Sequence, residues 1–266
     1  LPATLRMYLQ ATLGSLFVTS QRDMWLSDLA IPTYAMTTGF TVDALKHDLD
    51  FYEHFMDAEV RTGERRGLGV KSIVRAASMF REFWNSPDAL VPLVLGRDEG
   101  TRDFNAIDAF GFSGAIPGVL HYDVLRDDPR MKATLDGLYA RYGIARLGEG
   151  GILHNVPSRV AWESTVSGEL GVRQPFVLAL DCFAPNPRRP AWYAVQQTVR
   201  QMNVNADRAF ADLYVPFKKT LSPINVVPSV RDAMRAMKWG RDELAPHVPF
   251  IQEMMRPIRV LRDREV

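Results

Sequence analysis

Residues 41–84 read TVDALKHDLDFYEHFMDAEVRTGERRGLGVKSIVRAASMFREFW. The way apolar side chains recur in this stretch decides the expected fold. Thr41 is a natural N-cap, because its hydroxyl oxygen can accept from an unpaired amide one turn into a helix. Behind it Val42, Leu45, Leu49, Tyr52, Phe55 and Met56 return at helical spacing, and Asp43, Asp48, Asp50, Glu53, Asp57 and Glu59 cover much of the remaining circumference. Residues 42–60 are therefore expected to form an amphipathic helix with an acidic outer face. A glycine-bearing connection at 62–69 leads to a second expected helix, 71–84. Its Ile73, Val74, Ala77, Phe80, Phe83 and Trp84 share one face, and Asn85-Ser86-Pro87 stops it.

Working outward, further helices are expected over 5–19, 23–36, 104–112, 128–142, 191–217 and 229–239. The second of these is kinked or restarted at Pro32, which lacks a backbone donor and restricts Ile31. Asp127-Asp128-Pro129 opens the helix that Gly143 stops. Residues 88–103 read as weakly structured, residues 172–183 as a buried helix or short strand, and Gly148, Gly150 and Gly151 as a loop. The sum is an all-α chain, a multi-helix bundle with an extended Pro/Arg/Met-rich C-terminal tail. Its expected parts are a docking or targeting-like helix at 1–22, a helical domain at 23–217, and a linker, short helix and tail at 218–266.

Composition narrows the function classes. The 266 residues are 47% hydrophobic and 24% charged, enough apolar material for a sizeable core. Basic and acidic residues number 32 and 31, a balance that offers no basic surface to neutralise phosphates, so no nucleic-acid partner is expected. No uncharged apolar run reaches the roughly 20 residues that span a bilayer. No transmembrane span is expected, and attachment to a membrane would be peripheral. The chain carries no acid before Asp23, which reads as an organellar, mitochondrial-type targeting remnant, an amphipathic docking helix, or a plain first core helix.

The candidate chemistry is sparse. Cys182 is the single cysteine, excluding an internal disulfide and a cysteine-based metal site, and it reads as a buried thiol. His47 with Asp50, and Glu53 with His54 and Asp57, have the spacing of helix-borne metal ligands. A bundle site needs matching ligands from a second helix, and none offers a Glu-x-x-His pair, so no metal is expected and the face reads as solvated. His121, His154 and His247 stand singly and read as structural. Ser113 lacks the Gly-x-Ser-x-Gly context of a nucleophile elbow. Asp108 and Asp123 are a conceivable acid/base pair. A phosphate cradle at 148–151 is not expected, because no strand is expected before it and no Lys-Ser/Thr follows.

The order of these motifs resembles a known family. Ala30-Ile31-Pro32-Thr33 is similar to an Ile-Pro helix start, residues 46–51 to a Lys-Arg-x-x-Asp-Thr stretch, and residues 67–83 to a Gly-x-x-x-Ile-x-Arg-Ile-Asn-x-x-His helix. Asn105, Asp108 and Phe112, then a helix over 128–144 closing on Gly143-Ile144, follow in order. Residues 17–145 thus resemble the family of the endoplasmic-reticulum-bound oxygenase of mycophenolic acid biosynthesis and the latex-clearing rubber oxygenases, an all-helical, haem-associated domain. The resemblance implies a haem ligand where this chain has Phe80, and pocket residues where it has His47 and Phe51. Phe cannot ligate iron, so the family's haem mode is expected to be lost. Met79 after a one-residue shift, or His54, is the alternative ligand, and Phe51 and Phe80 are expected to fill a closed core.

The expected function is that of a non-catalytic, pseudoenzyme-like structural subunit with no cofactor. It would join other protein subunits of a larger assembly, possibly mitochondrial and membrane-associated, through its N-terminal helix and C-terminal tail. The alternative is a haem- or iron-dependent oxygenase working through altered ligands.

Overall fold

A computed structural model describes residues 24–41, 87–115, 122, 124, 128–187, 193, 196, 205–221 and 229–256. The expected helices over 5–19, 42–60 and 71–84 lie outside them. So do His47, Phe51, His54, Met79 and Phe80, and with them the expected closed core.

The fold is mixed α/β, which corrects the all-α expectation. Strands β1 (Ala35–Thr41), β2 (Leu90–Leu95) and β3 (Ile144–Glu149) form an antiparallel sheet in the order β2-β1-β3. A shorter parallel pair joins β4 (Leu178–Asp181) to β5 (Leu213–Pro216). Between the strands run helices α1 (Ala106–Ser113), α2 (Pro129–Tyr142), α3 (Gly151–His154), α4 (Ser158–Val166) and α5 (Asn205–Arg208). Helices α6 (Val230–Leu244) and α7 (Val248–Met254) follow, separated by the 3-10 turn Ala245–His247.

Both faces of β1 are covered. Ala35, Leu93, Leu95 and Leu147 lie on the face that packs against Phe104, Ala109 and Phe112 of the α1 region and against Met131, Leu135 and Leu138 of α2. On the opposite face Met36 and Val94 meet Val160 of α4, while Phe40 and Leu90 meet Ile152 of α3. A strand buried on both sides has no polar alternation to display. The β-branched Thr37, Thr38 and Thr41 suit it better than a helix. This is why the helix expected over 23–36 is replaced by a bridge from Trp25 to Asn105, the 3-10 turn Leu26–Asp28 and the start of β1. The Ile-Pro segment lies in the bend leading into that strand.

Strand β2 falls in the region read as weakly structured. It contains Pro92, which removes a donor, but β2 is the outer strand and a proline is tolerated there. The expected helices at 104–112 and 128–142 form as α1 and α2. Asn105 caps α1 by accepting from the amides of Ile107 and Asp108. Asp128 caps α2, Pro129 occupies its first turn, and Gly143 ends it in the left-handed region at φ 62°.

Two further expectations are corrected. Of the helix expected over 191–217, Tyr193 and Gln196 are helical, but residues 205–217 form instead the single turn α5 and the strand β5. The Asp212 carboxylate accepts from the Val177 amide at 2.7 Å and fixes the start of the β4–β5 pairing. The extended tail is helical through Met254, with Pro246 and Pro249 each near the start of a helical segment, where the missing N–H costs nothing. Among the described residues, no helix is long and apolar enough to cross a membrane.

Candidate functional site

The acids inside the body are engaged. Asp108, on α1, is fully buried and accepts from the Tyr122 hydroxyl at 2.5 Å; Asp123, its conceivable acid/base partner, lies outside the described residues. The Tyr122 ring stacks edge-on against Phe112 with centroids 5.0 Å apart, and Gly111 leaves the space that the ring occupies.

Gly148 and Gly150 do not lie in an open loop, and a strand does precede them: Gly148 is in β3, and Gly150 is the turn from β3 into the single-turn helix α3. Just before that turn stands Glu149, directly across the β1–β3 pair from Thr37. Its peptide oxygen accepts from the Thr38 hydroxyl at 2.8 Å, and its amide donates to the Ala115 carbonyl at 3.0 Å. The residue keeps some exposed surface, but its carboxyl is deeply desolvated, which pushes its pKa up to about 7. The folded state then holds a proton that the unfolded chain releases nearer 4.5. Stability is therefore full below that value and falls as pH rises through about 7, by on the order of 3 kcal/mol in all. Glu149→Gln should abolish this slope and leave a protein more stable than wild type at pH 8. Parallel urea curves for the two proteins between pH 5 and 8 would count against a buried, protonated Glu149.

A second polar cluster joins α3, β4, α5 and β5. Asp181, at the end of β4, is 1% exposed and surrounded by donors. Its Oδ1 accepts from the Phe183 amide at 2.9 Å and from Asn155 Nδ2 at 3.3 Å, while its Oδ2 accepts from the Tyr214 hydroxyl at 2.5 Å. Next to it, His154 Nδ1 lies 3.1 Å from Asp207 Oδ2. His154 is thus paired rather than solitary, and among the described residues this is the imidazole's only side-chain hydrogen bond. A held imidazole is half of a general-base arrangement, but no hydroxyl or thiol among the described residues bonds its other nitrogen. What the cluster does is tie four elements together.

Cys182 follows Asp181 and is exposed, which corrects the buried-thiol expectation. Partial desolvation and the adjoining Asp181 carboxylate raise its pKa, so the reactive thiolate is disfavoured. Ser113 ends α1, and His247 sits in the turn between α6 and α7. No group of three or more His, Cys, Asp or Glu among the described residues could hold a metal ion.

Among the described residues, the exposed large apolar side chains are concentrated on the C-terminal helices. Ser229 caps α6, its Oγ accepting from the Asp232 amide at 3.2 Å. The helix is fixed to the body from its far end, where the Glu243 carboxylate accepts from the Lys218 and Lys219 amides at 2.6 and 3.0 Å just after β5. Phe250 of α7 packs on Phe176, with centroids 6.1 Å apart. Yet no residue of α6 or α7 is fully buried. Val230, Met234 and Met237 are 77%, 66% and 72% exposed, and Val248 and Met255 are also exposed.

Seven apolar residues and Arg241 alternate at four and three residues: Val230, Met234, Met237, Arg241, Leu244, Val248, Ile251 and Met255. This is the spacing of a heptad seam, which one helix presents to another. It can be read from the sequence, where Pro246, Pro249 and the charged Arg241 conceal it. Leu244 and Ile251 are partly buried, and the exposed residues on the seam are its unpaired portion.

Comparison with protein-family models, with curated proteins and with solved structures gave no match.

Proposed function

We propose that this chain is a non-catalytic structural subunit that enters a larger protein assembly by docking the seam of α6 and α7 against a partner. The supporting observation is the heptad row of exposed Val230, Met234, Met237, Val248 and Met255 on helices anchored to the body by Glu243 and Phe250. Exposed apolar side chains on an anchored helix are costly to leave in water, and contact with a partner removes that cost. The internal carboxylates support the same reading, since Asp108, Asp181 and Asp207 each hold a neighbouring element in place.

The test is a double substitution, Met234→Glu with Met237→Glu. Both side chains already face water, so the thermal midpoint of the isolated chain should stay within about 2 °C of wild type. In native electrophoresis of extracts, the wild-type chain should migrate in a high-mass species and the double variant as the free chain. Co-migration of the variant with that species would refute docking through this seam.

A further inference from the structure

We infer that the occupant of the seam is an acidic amphipathic helix of a different protein; this rests on the docking reading above. The inference comes from the charges along the seam. With Met234 and Arg241 at the first core position of the heptad and Val230 and Met237 at the second, Arg231 and Lys238 flank one side. Ala233 and Gly240 flank the other. The flanking positions of a helix pair choose the partner through their charges, and a charged residue inside the seam selects register at some cost in stability.

The acids of α6 neutralise this surface only at Lys238, which pairs with Asp242. Asp232 is held by Arg235 at 2.9 Å and by the Ser229 hydroxyl, Asp242 by Lys238 at 2.6 Å, and Glu243 by two backbone amides. Arg231 and Arg241 form no ion pair among the described residues. Covering the seam desolvates Arg241, whose neighbour Asp242 is bonded to Lys238, so a partner that brings a carboxylate to the guanidinium is favoured over one that does not.

A second copy of the chain does not satisfy these requirements. Packed antiparallel, it would set Arg231 and Lys238 against the same cations of its mate; packed parallel, it would set them against Ala and Gly. An anionic bilayer would attract the cations but would place Arg241, in the middle of the apolar row, towards hydrocarbon.

The test uses the whole chain and a labelled synthetic helix of about four heptads, with Leu at the core positions and Glu at the flanking ones. A second helix with Lys in place of Glu, phosphatidylglycerol vesicles, and light scattering of the protein alone complete it. The Glu helix is expected to bind about tenfold or more tighter than the Lys helix. Arg231→Glu with Arg241→Glu should reverse that preference at unchanged helix content by circular dichroism. Equal binding of the two helices, binding to vesicles but to neither helix, or a homodimer that Met237→Glu dissolves would each overturn the inference. If Met234→Glu with Met237→Glu still joins the native assembly, the docking reading itself fails. If that variant is excluded but the Glu helix shows no advantage, only the acidic partner is lost.

Discussion

Gly150→Ala should cost the protein at least about 3 kcal/mol, lowering its thermal midpoint by roughly 10 °C. The backbone at this position is ordinary right-handed helix, at φ −69° and ψ −25°, so alanine meets no conformational objection. The objection is spatial. A Cβ built on Gly150 would lie 2.2 Å from the Met36 carbonyl oxygen and 2.4 Å from its carbon. Both atoms belong to β1, the central strand, which is hydrogen-bonded on both sides and cannot yield without disturbing the two pairings. Gly137 is the matched control, on the exposed side of α2 with nothing within 4 Å of its would-be Cβ. Gly137→Ala should be neutral or stabilise by up to about 1 kcal/mol, through helix propensity. Thermal unfolding of the two variants against wild type separates backbone contact from a general intolerance of alanine. Equal midpoints would remove Gly150 as the point where α3 meets the sheet.

Asp181→Ala should be comparably damaging, at about 3 kcal/mol or more. The substitution leaves the Phe183 amide, Asn155 Nδ2 and the Tyr214 hydroxyl without their acceptor, in a site whose carboxylate is 1% exposed. Its neighbours come from the α3–α4 connection and from β5, so the loss should spread to both. Amide exchange should accelerate in 178–181 and 213–216 while the amides of β1 keep their protection. Asp181→Asn retains one acceptor oxygen and should fall between wild type and alanine in urea unfolding. A wild-type unfolding curve for Asp181→Ala would mean that the cluster does not bind the parallel pair to the rest of the molecule.

The sequence made the locally determined elements legible and hid those fixed at long range. Helices α1 and α2 carry their own signals, in the Asn105 and Asp128 caps, Pro129, and a glycine at the left-handed position after Tyr142. Strand β1 carries none, because α1 and α2 cover one face and α3 and α4 the other, erasing the alternation that marks a half-buried strand. Strand β5 was concealed inside a run of helically spaced apolar residues; its conformation is set by pairing with β4, 35 residues upstream at Leu178↔Leu213. The cluster around Asp181 is likewise non-local, with Tyr214 33 residues away and His154 and Asp207 separated by 53. No short motif contains any of these pairs. The seam of α6 and α7 was different in kind, since its spacing lay in plain sequence. Pro246 and Pro249 suggested an unfolded tail there, although each sits near a helix start.

Of the docking reading, oxidation footprinting of the methionines is the most direct test. Mild peroxide should convert Met234, Met237 and Met255 rapidly to sulfoxides in the isolated chain, where all three are exposed, while Met131, fully buried on the inner side of α2, resists. In the native assembly, Met234 and Met237 should become as resistant as Met131. Unchanged oxidation rates for these two residues in the assembly would contradict docking through the seam.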